Sequence, residues 1–173
     1  PNYPWSYINL CLNSELTWDY IKKNINENWN WFLLSSHICI TLDIVKQTPN
    51  LNWNESELTK NPNITIEHIK NNLREFKWDW STIVFNPNIT QKQIEENEFL
   101  PWRWYIIFKF MKLDNRFLDK YAHKIYPEYS LRNCLITNKY LDINYLLHKY
   151  PNIQFNNMFL IYISSNENIT FDF

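Results

Sequence analysis

Asn86-Pro87-Asn88-Ile89-Thr90 decides how this chain folds, because it occurs again as Asn61-Pro62-Asn63-Ile64-Thr65 and, degraded, as Asn166-Glu167-Asn168-Ile169-Thr170. Each residue suits a junction between two helices. Asn tolerates the left-handed conformation that ends a helix. Pro cannot continue that helix. Thr caps the next one by accepting a free backbone N–H. The chain contains no Gly, so Asn is expected to take the left-handed position.

The Thr is a ruler. Thr17, Thr41, Thr65, Thr90, Asp114, Asp142 and Thr170 are equivalent, spaced 24, 24, 25, 24, 28 and 28 residues apart. Leu or Ile precedes each of them, and Ile21, Val45, Ile69, Ile94, Leu118 and Leu146 stand four residues after the first six. That apolar pair is the hydrophobic staple of a helix entrance. Trp5, Trp29, Trp53, Trp78 and Trp102 stand twelve residues before the first five caps. Three marks in one register mean an array of short repeats. The units run about 5–28, 29–52, 53–77, 78–101, 102–129, 130–157 and 158–173. The pattern predicts an all-α chain, an α-solenoid of six to seven helix-turn-helix repeats forming one array over 1–173. A leucine-rich repeat of similar period would alternate apolar residues at spacing two, whereas Trp-x-Trp-x-x-Ile/Leu followed by a cap is helical. Helices of about eight residues are unstable alone, so they must stack.

Each unit varies the theme. Trp29, Trp31, Phe32, Leu33 and Leu34 fall in the first helix of unit two, where His37 replaces the terminating Asn. In unit three Glu55 stands where Trp31 and Trp80 stand in its neighbours, so that face is either exposed or turned to a polar partner. The first helix of unit five, Trp102 to Met111, is apolar nearly all round and is expected to be the most buried. Phe110 takes the Asn position there, and the second helix, after Asp114, can run to about Ile125.

Trp78-Asp79-Trp80, Asn86-Pro87-Asn88-Ile89-Thr90 and Ile94 together resemble the short Trp-rich, Asn-Pro-x-Ile-Thr repeats of giant DNA viruses of the mimivirus kind. The resemblance covers units one to four well and units five and six loosely. It implies a viral origin and a repeat fold and assigns no reaction. The 26 Asn and single alanine, Ala122, also fit translation of an AT-rich genome.

Composition excludes several classes. Apolar residues make up 45% and aromatics 18%, enough for a continuous core, and the net charge of −1 favours no partner class. Without Gly, phosphate loops and dinucleotide fingerprints of the usual kind are ruled out. Cys11, Cys39 and Cys134 lack disulfide spacing and read as small buried hydrophobes in a reducing compartment. His37, His68, His123 and His148 show no second ligand pair at metal spacing. Glu95, Glu96 and Glu98 read as a solvated helix face. No catalytic residue, metal or cofactor is therefore expected. The start, Pro-Asn-Tyr-Pro-Trp, lacks the basic and apolar regions of a signal peptide, and no run reaches the ~20 apolar residues of a membrane span. The expected location is host cytoplasm or virion rather than the secreted space, and the glycosylation-like Asn-Ile-Thr triplets are explained by the repeat. A start without Met at a repeat boundary reads as a fragment or a processed product.

Two stretches carry candidate binding residues. Residues 101–150 hold 9 basic and 4 acidic side chains against 8 and 12 in residues 1–100. Arg116, Lys120 and Lys124 lie at i, i+4 and i+8, with Arg103, Lys109 and Lys112 nearby. Such a stripe either tracks phosphates or is the solvated face of an amphipathic helix. Helical-repeat readers of single-stranded RNA need a repeated polar code, and here acidic residues follow the first three caps, so nucleic acid is disfavoured. The second stretch is 158–173. Met158, Phe159, Leu160 and Tyr162 lie in a run apolar on both faces, and Phe171 and Phe173 follow the last cap. That surplus apolar surface predicts docking on another subunit, another protein or a continuation of the chain. The expected function is a non-catalytic repeat scaffold for protein–protein interaction. Its alternatives are a structural, minor-capsid or virion-associated component of a giant virus particle, and a single-stranded RNA binder.

Overall fold

The computed structural model describes residues 5–125, 137–140 and 142–149. Within them every regular element is helical and no strand occurs. The α-helices are α1 (Tyr7–Leu10), α2 (Trp18–Lys23), α3 (Trp31–Ser35), α4 (Leu42–Gln47), α5 (Glu55–Lys60), α6 (Ile66–Asn71), α7 (Gln91–Glu96), α8 (Trp104–Phe110), α9 (Asn115–Tyr121) and α10 (Ile143–Lys149). Two 3-10 turns, Ile83–Phe85 and Ala122–Lys124, complete the series. The chain divides into two compact units, residues 1–90 and residues 91–173. The helices are 4 to 7 residues long, shorter than the expected eight. In the fourth repeat a 3-10 turn stands in place of the first helix. There the Asp79 carboxylate accepts the Ser81 N–H at 2.9 Å, a local turn that competes with helix.

The ruler caps Thr17, Thr41, Thr65, Asp114 and Asp142 close as expected. Thr17 accepts the Tyr20 N–H at 3.3 Å, Thr41 that of Ile44 at 3.4 Å and Thr65 that of His68 at 3.3 Å. Asp114 accepts from Phe117 at 2.7 Å and Asp142 from Tyr145 at 3.2 Å. A second set of caps was not anticipated. In the first three repeats the residue after the Trp caps the first helix: Ser6 accepts from Asn9, Asn30 from Leu33 and Asn54 from Glu57. Trp29 and Trp53 therefore precede their helices instead of lying within them. Trp29 and Leu34, five apart on either side of the cap, belong to one buried cluster with Ile21, Ile40 and Val45. This is the geometry of a second staple.

At the two described Asn-Pro junctions the expected left-handed Asn is not found. Asn61 has φ −60° and ψ 131°, and Asn86 has φ −76° and ψ 124°. The Pro that follows each one disfavours any helical conformation and selects extended backbone. The side chain is what matters instead. The Asn61 amide donates to the carbonyls of Ser35 and His37, at 2.8 and 3.1 Å, while its oxygen accepts the Asn63 N–H at 2.8 Å. Asn86 repeats this one unit on, donating to Thr59, Asn61 and Ile64 and accepting from Asn88. The second Asn of each motif also reaches back, Asn63 to Ile38 and Ile40, Asn88 to Pro62 and Ile64. His37 does the same work with a ring: Nδ1 accepts the Cys39 N–H at 3.1 Å, so Nε2–H donates to the Asn13 carbonyl at 3.0 Å. In residues 91–173, Asn138 donates to Phe108 and Met111 and accepts from Tyr140.

A third link uses hydroxyls. Ser35 and Thr59, both fully buried, each donate to a carbonyl four residues back and accept the Asn54 and Asp79 N–H of the next repeat. Cys11 holds the same register, its thiol 3.8 Å from the Asn30 carbonyl. These links set α3 against α5 and α5 against the turn Ile83–Phe85.

In residues 91–173 the core is aromatic. Trp104 stacks on Tyr121 at 4.9 Å, and Phe117 meets Tyr121 at 4.6 Å and Phe108 at 6.1 Å. Ile107 and Phe108 are buried, but Tyr105 and Phe110 on the same helix are exposed. So α8 is one-sided, against the expectation that it would be the most buried helix.

Candidate interaction surface

The 24-residue step carries a further row that the sequence reading missed. Ile8, Phe32, Ser56 and Ser81 of residues 1–90, and Tyr105 of residues 91–173, share one register; Ile8, Phe32 and Tyr105 are exposed, while Ser56 and Ser81 are half-buried. Ile8 is 56% exposed and Phe32 52%. In residues 1–90, Leu12, Ile38 and Phe85 join them as exposed large apolar side chains. Stepping 24 or 25 residues from Ile8 would have revealed the row, but periodicity alone does not separate an outward apolar position from a core one.

The row is interrupted at the third repeat. Trp31 meets Trp53 edge-on, ring centroids 5.1 Å apart and planes at 82°. One repeat on, the equivalent pair is Glu55 and Trp78. A depression of about 510 Å³ opens there, lined by Trp53, Glu55, Ser56, Lys77, Trp78 and Asp79. The indole N–H groups of Trp53 and Trp78 are committed to the Thr48 and Asn72 carbonyls, at 3.0 and 3.3 Å. Partial burial raises the Asp79 carboxyl. Hydrogen bonds from the Ser81 N–H and from the Ser56, Ser81 and Thr82 hydroxyls outweigh that and hold it below the usual carboxylate range. Among the described residues, the Glu55 carboxylate has no hydrogen-bond or ion-pair partner.

The basic stripe lies on and beside α8 and α9, within residues 91–173. Arg103, Lys112, Arg116, Lys120 and Lys124 are exposed and Lys109 half-buried. Arg116 pairs with Glu95 at 3.3 Å and lies 3.8 Å from Asp114. Lys120 pairs with Glu98 at 2.9 Å. Lys109 sits over the Tyr105 and Phe110 rings, and Lys124 over Trp104 at 5.8 Å. Glu95 and Glu98 of the acidic face thus supply partners to the stripe, while Glu96 lies 3.7 Å from Lys92 on its own helix. Hydrogen bonds from Tyr121 and Lys120 keep the Glu98 carboxyl below its usual range. Met158, Phe159, Leu160, Tyr162, Phe171 and Phe173 lie outside the described residues.

His37, Cys39 and Asn13 form a structural knot rather than a nucleophile and base. Burial pushes the Cys39 thiol up to about 11, the opposite of activation, and burial also raises Cys11. His68 completes a capping box, its Nδ1 taking the Thr65 N–H at 3.3 Å. Among the described residues no group of His, Cys, Asp and Glu could hold a metal ion, and no helix is long and apolar enough to cross a membrane. No family model, curated protein or solved structure matches the chain.

Proposed function

We propose that the chain is a non-catalytic α-solenoid scaffold that binds other proteins through the outward row of its first helices. The observation that carries this reading is the exposed set Ile8, Leu12, Phe32 and Ile38 on repeats whose polar interior is already satisfied. His37, Ser35, Thr59, Asn61, Asn63, Asn86 and Asn88 are spent on backbone groups of neighbouring repeats, which leaves the surface for recognition. Exposed apolar side chains held at fixed spacing suit a protein partner. The likeness to giant-virus repeats supports a viral source, with action in host cytoplasm or as a structural part of the virion.

Affinity capture from infected cells with the wild type and with an Ile8→Asp/Phe32→Asp double variant tests the reading. Partners captured by the wild type and lost by a normally folded variant are expected. Identical captured sets, or tight sequence-selective RNA binding at physiological salt, overturn it.

A further inference from the structure

We propose that the depression at Glu55 is a binding site for an arginine side chain presented by a protein partner. The inference rests on the scaffold reading and deepens it. Register carries the argument. Trp31 fills the corresponding place one repeat earlier and packs on Trp53. At the third repeat the sequence puts a carboxylate there, and about 510 Å³ stays open beside Trp78. A site shaped for an indole but bearing a negative group calls for a flat cation. Guanidinium is planar, weakly hydrated and prone to stack on aromatic rings. The Trp53 and Trp78 N–H groups point to carbonyls, so half-buried Trp53 turns ring carbon to the depression and buried Trp78 forms part of its wall.

Charge agrees. Glu55 and Asp79 give two carboxylates against the one ammonium of Lys77. Asp79 is bound into its own hydroxyl cluster, leaving Glu55 as the partner for the incoming guanidinium, in the fork geometry a carboxylate accepts. Glu55 is exposed and unengaged among the described residues, so binding breaks no existing ion pair.

The test is titration of the full chain with acetyl-Gly-Arg-Gly-amide and with its Gln counterpart, following the indole N–H resonances of Trp53 and Trp78 by NMR. The arginine peptide is expected to shift both signals and to bind at least tenfold more tightly than the Gln peptide. Glu55→Gln should weaken it about tenfold. Glu55→Trp should abolish binding while leaving the urea midpoint unchanged or higher, because the indole refills the place Trp31 occupies one repeat earlier. Equal affinity for the two peptides, or undiminished binding by Glu55→Trp, overturns the site. If the arginine peptide fails while capture through the Phe32 face persists, the site is wrong and the scaffold reading stands.

Discussion

Asn86 satisfies three carbonyls and one N–H with a single short side chain, and it is almost fully buried. No other residue type does this at that length. Asp lacks the donors, and Gln reaches one methylene too far. Removing the amide leaves the Thr59 carbonyl without its donor, while the Asn61 and Ile64 carbonyls keep the Ile64 N–H and the Asn88 amide; a buried carbonyl left unpaired costs roughly 1–3 kcal/mol. Asn86→Ala is therefore expected to destabilise by about 3 kcal/mol, and Asn86→Asp by more, since a carboxylate would face those same oxygens. Thr65→Ala removes one half-buried cap bond and should cost about 1 kcal/mol. Urea midpoints measured on the three variants check the order; an Asn86→Ala midpoint no lower than that of Thr65→Ala would mean the bridging amide is dispensable. His37→Asn should leave the midpoint nearly unchanged, because the ring already mimics the amide on both sides.

Between elements, the recurring device is a Trp closing the helix before it. Trp29 donates to Asn24, Trp53 to Thr48, Trp78 to Asn72 and Trp102 to Asn97. Each acceptor residue also folds its own side chain onto the carbonyl four residues back. Trp78→Ala loses both the bond and the packing, and a cost of roughly 3–5 kcal/mol is expected. Cys11 sits in the slot that Ser35 and Thr59 fill with hydroxyls, so Cys11→Ser should hold or raise stability, whereas Ser35→Ala should lower it by about 1–3 kcal/mol. Thermal unfolding of both variants decides; a Ser35→Ala protein as stable as the wild type would remove the hydroxyl link. The sequence made the repeat length, the Thr caps and the Ile staples legible, because each is local and declared by residue type. The Asn24, Asn72 and Asn97 acceptors were visible at the same spacing but needed the Trp bond to explain them. Asn61 is extended rather than left-handed because Pro62 not only stops the earlier helix but also constrains the residue before it. The gap at Glu55 could be suspected from one substitution, but its walls come from two stretches of chain, 53–56 and 77–79, that only packing assembles.

At the scale of the whole chain, its two compact units are held by different chemistry. In residues 1–90 the bridges from Asn61, Asn63, Asn86 and Asn88 are neutral amide bonds with no proton to gain in acid. In residues 91–173 carboxylates carry much of the cross-linking. Arg116 meets Glu95, Lys120 and Tyr121 meet Glu98, Gln91 meets Asp114, and Lys149 and Tyr145 meet Asp119. Glu98 is held below its usual range first by Tyr121, Asp114 first by Gln91 and Asp119 first by Lys149. A carboxyl with a lower pKa folded than unfolded stabilises the fold above the usual range near 4, and that contribution is lost as pH falls through the depressed native value. These groups are exposed, so each loss is small and partly screened, but three act on the same few helices. Asp79 is the lowered carboxyl of the other unit, and its carboxylate is held by Ser56, Ser81 and Thr82 rather than by the Asn bridges. Acid should therefore loosen α9 before the Asn junctions. Hydrogen exchange by mass spectrometry, corrected for the intrinsic rate and run from about pH 6 down through the carboxylate range near 4, should show the Leu118 amide losing protection at higher pH than those of Ile64 and Ile89. Those last two bond to the Asn61 and Asn86 carbonyls. Simultaneous loss at all three would mean that the carboxylate links contribute nothing that the amide bridges do not.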